Sequence, residues 1–179
     1  TTFRQDVETD GRHAVVRFGV SPAADLARRD FTINAIAVHS ETGALEDPFA
    51  GQADLEAGVV RAVGDPAQRF LEDRLRILRA LRFATVLRFE VEPGTWRALS
   101  DQARELAHLS RERVRDEWLK TLDADSPGTG VRLWRESGVL LGVWPELARL
   151  PEAAPGWLDA SDTRDPVLLT ATLLWRGAV

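Results

Sequence analysis

One stretch constrains this chain more than any other: Arg69–Ala84, which reads RFLEDRLRILRALRFA. Stepped at about 100° per residue, Phe70, Leu71, Ile77, Leu78, Leu81 and Ala84 fall within one arc of roughly 140°. Glu72, Asp73, Arg76, Arg79 and Arg82 fall on the opposite half, so the spacing predicts a single amphipathic helix. Arg74 lands inside the apolar arc. Leu75 and Phe83 lie on or near the polar side, which is therefore not plain solvent surface. Asp73, Arg76, Arg79 and Arg82 recur every third residue and form a slowly turning stripe. On one rod the axis would rise about 13–14 Å from Asp73 to Arg82, comparable to an extended nucleoside triphosphate. A carboxylate at one end and guanidiniums at the other suit a base at the first end and phosphates at the second. The spacing equally allows a solvated face tied together by Glu72–Arg76 and Asp73–Arg76 pairs.

Charge distribution narrows the partners. The net charge is −5, which argues against a protein that coats nucleic acid by charge alone. Yet Arg61, Arg69, Arg74, Arg76, Arg79, Arg82 and Arg88 are set against only Asp65, Glu72 and Asp73 in the same region. A basic strip on an acidic body fits a local phosphate site better than a general nucleic-acid platform. Lys120 is the sole lysine and there is no cysteine, so disulfides and thiolate metal sites are out of reach. No apolar run approaches a membrane span and no signal peptide is visible, so the expected location is cytoplasmic. Methionine is absent and the chain opens on Thr1-Thr2-Phe3-Arg4, as if inside a strand. We therefore expect a fragment whose beginning is missing.

Elsewhere the patterns predict a sheet-containing first third followed by helices. Thr1–Arg4 and Ala14–Gly19 read as strands, with Asp10-Gly11 as a hairpin signal inside a longer loop. Ser21-Pro22 is a helix start, and that helix is expected to run to about Thr32. Ile33–His39 reads as a buried strand, Leu45–Pro48 as a returning strand, Gln52–Glu56 as a short helix and Val59–Val63 as a strand. Gly64-Asp65-Pro66 breaks the chain before the long helix. Beyond Phe89 the pattern is wholly helical: Pro93–Leu109, Ser110–Leu122, Gly128–Leu140 and Pro166–Arg176, with Leu147–Asp165 read as linker or loop. The division expected is 1–63, 64–147 and 148–179.

Three constellations carry chemistry. In Arg28-Arg29-Asp30-Phe31-Thr32-x-Asn34, adjacent arginines can hold phosphate, and Asp or Asn can hold ribose hydroxyls; an internal ion-pair network is the plainer alternative. In Glu72-Asp73-x-x-Arg76, a carboxylate that accepts from an exocyclic amine stands beside an Arg that donates to a ring nitrogen. Cytosine and adenine both present that amine-and-nitrogen edge, whereas uracil and guanine present the reverse and would leave buried groups unpaired. In Ser110–Lys120, Arg113, Glu117 and Lys120 share one helix face, which favours bracing of the long helix over direct substrate contact. Asp123-Ala-Asp125 reads as a solvated helix end.

Asp25-Leu-Ala-Arg-Arg-Asp-Phe-Thr-Ile-Asn-Ala35, Asp47-Pro-Phe-Ala-Gly-Gln-Ala-Asp-Leu55 and Glu72-Asp73-x-x-Arg76-x-x-Arg79 occur in this order. Together they resemble motifs of the class II tRNA nucleotidyltransferases, the CCA-adding enzymes, and of the related bacterial poly(A) polymerases. The resemblance runs from Thr1 to about Leu147. It implies an α+β fold, in which the C-terminal part of a polymerase-β-like nucleotidyltransferase head is followed by a helical neck and body. It implies an enzyme that adds C and A to tRNA 3′ ends from CTP and ATP, or alternatively a poly(A) polymerase using ATP. A non-catalytic RNA-binding helical protein is the alternative of another class. By resemblance Asp73 and Arg76 are the protein template for the base and Glu72 orients Arg76. Arg29 contacts the nucleotide with Asp30 and Asn34 in support, and Arg79 and Arg82 face the phosphates or primer end. The family's Mg2+ ions are held by an Asp-x-Asp pair upstream of these motifs, so no metal ligand or catalytic carboxylate is expected in this chain, which should be inactive by itself. Asp10-Gly-Arg-His13 resembles the tip of a family loop, but Ala14 stands where Pro is usual and Glu8-Thr9 where a Tyr would be.

Overall fold

The computed structural model describes residues 21–177 in full, together with the backbone of Arg4–Thr9 and Ala14–Phe18. Those two strands, β1 (Arg4–Thr9) and β2 (Ala14–Phe18), pair antiparallel with Thr9 opposite Ala14. The ladder therefore extends well past Arg4 through a polar run that carries no alternating apolar signal. Asp10–His13, the expected loop tip, lies outside the described residues.

Ser21 caps α1 (Pro22–Ala27) by accepting the Ala24 N–H. The helix stops at Ala27 rather than near Thr32. Beyond it, Asp30 and Thr32 are drawn onto the extended segment Arg61–Val63: Thr32 N donates to Arg61 O at 2.9 Å and Val63 N to Asp30 O at 3.1 Å. A 3-10 turn, Thr32–Asn34, follows. The expected strand Ile33–His39 shrinks to β3 (Ala37–Val38), paired antiparallel with β4 (Leu45–Glu46), and Val38 is largely exposed. Next come α2 (Gly51–Ala57) and β5 (Val59–Val60).

The long helix predicted from Arg69 is two helices. Gly64, at φ +70, turns the chain, and Asp65 caps α3 (Pro66–Glu72) through the Gln68 N–H. Asp73 is extended, with φ −148 and ψ 105, and α4 (Leu75–Leu87) begins after it. Because Asp73 resets the phase, the apolar arc does not carry across. Phe70, Ile77, Leu78, Leu81 and Ala84 are buried as the spacing requires, but Leu71 is 54% exposed. Arg74, the misplaced cation, reaches Gln102 and Glu105 instead of the core.

The remainder is helical except for β6 (Glu90–Val91), which pairs parallel with β5. Glu92 caps α5 (Pro93–Gln102), and a 3-10 turn, Ala103–Glu105, continues it. Ser110 caps α6 (Arg111–Leu122). Gly138, at φ +81, separates α7 (Pro127–Glu136) from α8 (Val139–Val143). The expected linker takes in the end of α9 (Pro145–Ala148) and the whole of α10 (Ala154–Asp159), with Ala154 and Leu158 fully buried. Pro155 sits in the first turn of α10, where a missing N–H costs nothing. The last helix is α11 (Pro166–Gly177).

Leu26, Ala35 and Val63 form a small cluster beside α1, and a larger core joins β5 with α3 through α11. Trp118 is its centre, edge-on to Trp134 at 5.1 Å and to Trp144 at 5.6 Å, and its indole N–H donates to Thr170 at 2.9 Å. Such a core welds α6 to α7, α8 and α11 and gives α4 a rigid surface to lie on. No helix among the described residues is long and apolar enough to cross a membrane.

Candidate nucleotide-recognition site

The polar residues singled out by sequence gather where the end of α1 meets the α3–α4 break. Asp25 is almost wholly buried and receives Arg28 Nε at 3.0 Å and Arg29 Nη2 at 2.8 Å. Burial acts to raise its carboxyl, but the hydrogen bonds from Arg28 and Arg29 outweigh burial and hold it below the usual carboxylate range. The Arg29 side chain is 40% exposed and its Nε is buried without a hydrogen-bond partner among the described residues.

Asp30 is the junction. Its Oδ1 accepts the Phe31 N–H and Asn34 Nδ2, each at 2.9 Å, and its Oδ2 accepts Arg79 Nε at 2.7 Å. Asn34 and Arg79, taken from the first and third motifs, are thus joined through one carboxylate. Phe31 stands edge-on to Phe83 at 5.7 Å, and the guanidiniums of Arg79 and Arg82 lie 5.3 and 4.0 Å from that ring. This explains an aromatic on the polar side of α4: Phe83 is a platform for two cations.

Arg76 acts as a clip. Its Nη1 donates to Arg69 O at 3.0 Å and Glu72 Oε2 at 2.8 Å, and its Nη2 donates to Arg28 O at 3.1 Å. Three of the guanidinium's five N–H donors are so used, which leaves two for a ligand. Glu72 also receives Arg69 Nη1 at 3.0 Å. Burial and the neighbouring Arg76 cation pull the Arg69 guanidinium below its ordinary value, with Glu72 acting against them. Arg69 was not singled out as a site residue, although its i,i+3 spacing to Glu72 is the signal that could have found it.

The Asp73 side chain is 29% exposed. Its Oδ1 accepts the Leu75 N–H at 3.0 Å and so starts α4, while Arg113 Nη2 of α6 donates to its Oδ2 at 3.1 Å. The partner of Asp73 is therefore Arg113, where the spacing had suggested Arg76. Arg82, expected at the phosphates, lies against α6 and donates to Glu117 Oε2 at 2.6 Å. Lys120 Nζ is 3.6 Å from the same carboxylate. Arg113 and Glu117 therefore bond Asp73 and Arg82, whereas Lys120 is exposed and pairs only with Glu117 of its own helix among the described residues.

No group of three or more His, Asp or Glu side chains that could hold a metal ion occurs among the described residues. Asp125 of the Asp123-Ala-Asp125 triplet is 82% exposed and pairs with Arg88 at 2.6 Å. A cavity of about 510 Å³ between α4, α5 and α7, lined by Thr85, Phe89, Trp96, Ser126 and Leu133, sits at the far end of α4 from the polar cluster.

Comparison with known proteins gives two family models on one chain. Residues 1–61 match the poly A polymerase head domain, and residues 88–150 match the probable RNA and SrmB-binding site of polymerase A. A CCA-adding enzyme of Bacillus licheniformis is 43% identical over 141 residues, which is 78% of this chain and 35% of that protein. The CCA-adding enzyme of Bacillus stearothermophilus, solved in complex with CTP, superposes with a TM-score of 0.72 at 30% identity, over 100% of this chain and 51% of that one. A tRNA nucleotidyltransferase complexed with a primer tRNA and an incoming ATP analog superposes with a TM-score of 0.67 at 29% identity, over 87% of this chain and 50% of that one. The chain spans about a third of the length of the first curated relatives it matches.

Proposed function

Because this chain belongs to the family of class II tRNA nucleotidyltransferases and bacterial poly(A) polymerases, we propose that it carries the base-selecting part of an enzyme that adds C and A to tRNA 3′ ends. One observation carries the reading. Asp73 and Arg76 emerge at the same helix break, partly exposed and outside the apolar core, with Arg79 one turn further along α4 and Arg29 just past the end of α1. The two uncommitted N–H donors of Arg76 suit the ring nitrogen of cytosine or adenine, and the Asp73 carboxylate suits the exocyclic amine. Uracil and guanine would set a carbonyl against that carboxylate and an N–H against Arg76, leaving both groups desolvated and unpaired. Glu72 orients Arg76. Arg29, partly exposed and held by Asp25, and Arg79, held by Asp30 with Asn34 in support, supply cations for the triphosphate. Arg82 serves the site indirectly, by fixing α4 on α6 through Glu117.

Phosphoryl transfer in this family draws on Mg2+ for charge neutralisation and activation of the attacking hydroxyl. No group of carboxylates among the described residues fits such a site, and the residues assigned here bind the nucleotide and choose its base. The substrates CTP, ATP and a tRNA 3′ end are those of the cytoplasm.

Titration of the intact gene product with the four nucleoside triphosphates tests the reading. Binding of both CTP and ATP in preference to UTP and GTP supports CCA addition, ATP alone supports polyadenylation, and absence of all binding supports a non-catalytic RNA-binding role. Asp73→Ala is expected to lower the CTP-over-UTP preference by at least about tenfold while triphosphate affinity survives. Equal loss of both would contradict the role given to Asp73.

A further inference from the structure

We propose that Trp96 is a stacking post for single-stranded RNA, with two successive unpaired nucleotides lodged in the cavities that adjoin it. RNA as a substrate is taken from the reading above; the role given to Asp73 is not needed. The cavity of about 510 Å³ between α4, α5 and α7 has a neighbour of about 550 Å³ along α5. Trp96 and Val91 line both, so the two meet across these side chains. Each volume falls in the roughly 300–1,000 Å³ range of small-ligand sites. Trp96 is only half-buried: it packs on the larger core and keeps part of its indole open. The 13 residues of α4 set this place about 20 Å from the α3–α4 break, so a nucleotide here is not the one held at Asp73.

The two cavities carry the same set of groups. The first has Arg88, whose pair with Asp125 is exposed on both sides, and Ser126, whose hydroxyl makes no capping bond although it stands at the start of α7. The second has exposed Arg97 and Ser100, whose hydroxyl is buried without a hydrogen-bond partner among the described residues. Thr85, by contrast, spends its hydroxyl on Leu81 O. An aromatic wall, a cation for phosphate and an unspent hydroxyl for a base edge or a ribose 2′-OH are what an unpaired nucleotide requires of a protein. Each cavity also has one carboxylate, Glu90 or Asp101, which opposes indiscriminate attraction of phosphates. Stacking rather than charge therefore carries the binding, in keeping with a net charge of −5.

The test measures binding of oligouridylate, whose base the Asp73–Arg76 pair rejects, and of an abasic ribose-phosphate strand of the same length. It uses the intact gene product in wild-type, Trp96→Leu, Trp96→Phe and doubly substituted Arg88→Gln, Arg97→Gln forms, with CTP titrated in parallel. Trp96→Leu is expected to lower oligouridylate affinity about tenfold or more, and Trp96→Phe less, with CTP affinity kept within about twofold. The abasic strand should bind the wild type as weakly as oligouridylate binds Trp96→Leu. The double variant should flatten the slope of log affinity against log salt by about 1.4. Wild-type affinity in a folded Trp96→Leu protein, or an abasic strand bound as tightly as oligouridylate, overturns the inference. Should circular dichroism show Trp96→Leu unfolded, the exposed arginines decide, and an unchanged salt slope overturns it. A wild-type protein that ignores oligouridylate also overturns it and leaves the cavities to a protein partner. Absence of CTP binding beside RNA binding that depends on Trp96 would strike the base-selecting reading and leave this inference standing.

Discussion

Glu117 is 4% exposed and its partner Arg82 14%, so this ion pair lies inside the α4–α6 interface rather than on its rim. A buried carboxylate and guanidinium survive there because each answers the other and because the Phe83 ring takes the face of the cation. Glu117→Ala would leave a buried cation unanswered, and we expect it to cost about 3 kcal/mol or more in urea unfolding. Arg82→Leu combined with Glu117→Leu is expected to cost less than the single change, since no charge is stranded. A single-variant loss below about 1 kcal/mol would mean the pair does not hold the helices together. From spacing alone Arg82 was indistinguishable from Arg79; what separates them is the neighbour each meets, Glu117 for one and Asp30 for the other.

Close approaches between elements explain positions that the motifs left as bare letters. Gly51 opens α2 where a Cβ would stand 2.2 Å from the carbonyl oxygen of Thr32. Gly142 in α8 is in the same position relative to Ala103 O, also at 2.2 Å. Backbone cannot yield as a side-chain tip can, so Gly51→Ala is expected to destabilise the chain by roughly 1–3 kcal/mol and to lower its melting temperature. The α3–α4 break belongs to the same scale. It places Asp73 at a corner where its carboxylate can both start α4 and face outward, which the middle of a continuous helix would not allow. Nothing in the periodicity announces that break, because Glu72-Asp73-Arg74 is compatible with an uninterrupted helix. The Leu75 N–H and Arg113 bond the Asp73 carboxylate at the break, and Arg76 spans it to Arg69 O.

At the scale of the whole molecule, Asp25, Glu92 and Asp47 among the described residues couple the fold to pH. Burial acts to raise Asp25 and Glu92, but bonds from Arg28 and Arg29 for the first, and from the Gly94 and Thr95 N–H groups for the second, leave both below their ordinary values of 3.8 and 4.5. Asp47 is held below 3.8 chiefly by the Gln52 N–H, with Gly51 assisting, at the start of α2. A carboxyl that binds protons less readily when folded contributes stability that is complete above its unfolded value. That stability is lost as pH falls through the folded value. Urea midpoints are therefore expected to be flat near neutrality and to decline below about pH 4.5, less steeply in Asp25→Asn than in wild type. An unchanged slope in that variant would remove Asp25 from the account.

At this largest scale the sequence determined the α+β class, the family, the helix starts at Ser21 and Ser110, and several residues of the polar cluster, among them Asp30, Asn34 and Arg79. These are properties of local chemistry: caps, prolines, and runs of charge at helical spacing. Tertiary structure alone decided that the rod is broken at Asp73, that Leu147–Asp165 contains a short helix anchored by buried Ala154 and Leu158, and that Arg113 rather than Arg76 is bonded to the Asp73 carboxylate. Each of those outcomes depends on what a distant segment presents to the residue, and a contact reached across 40 positions leaves no trace in the periodicity of either partner.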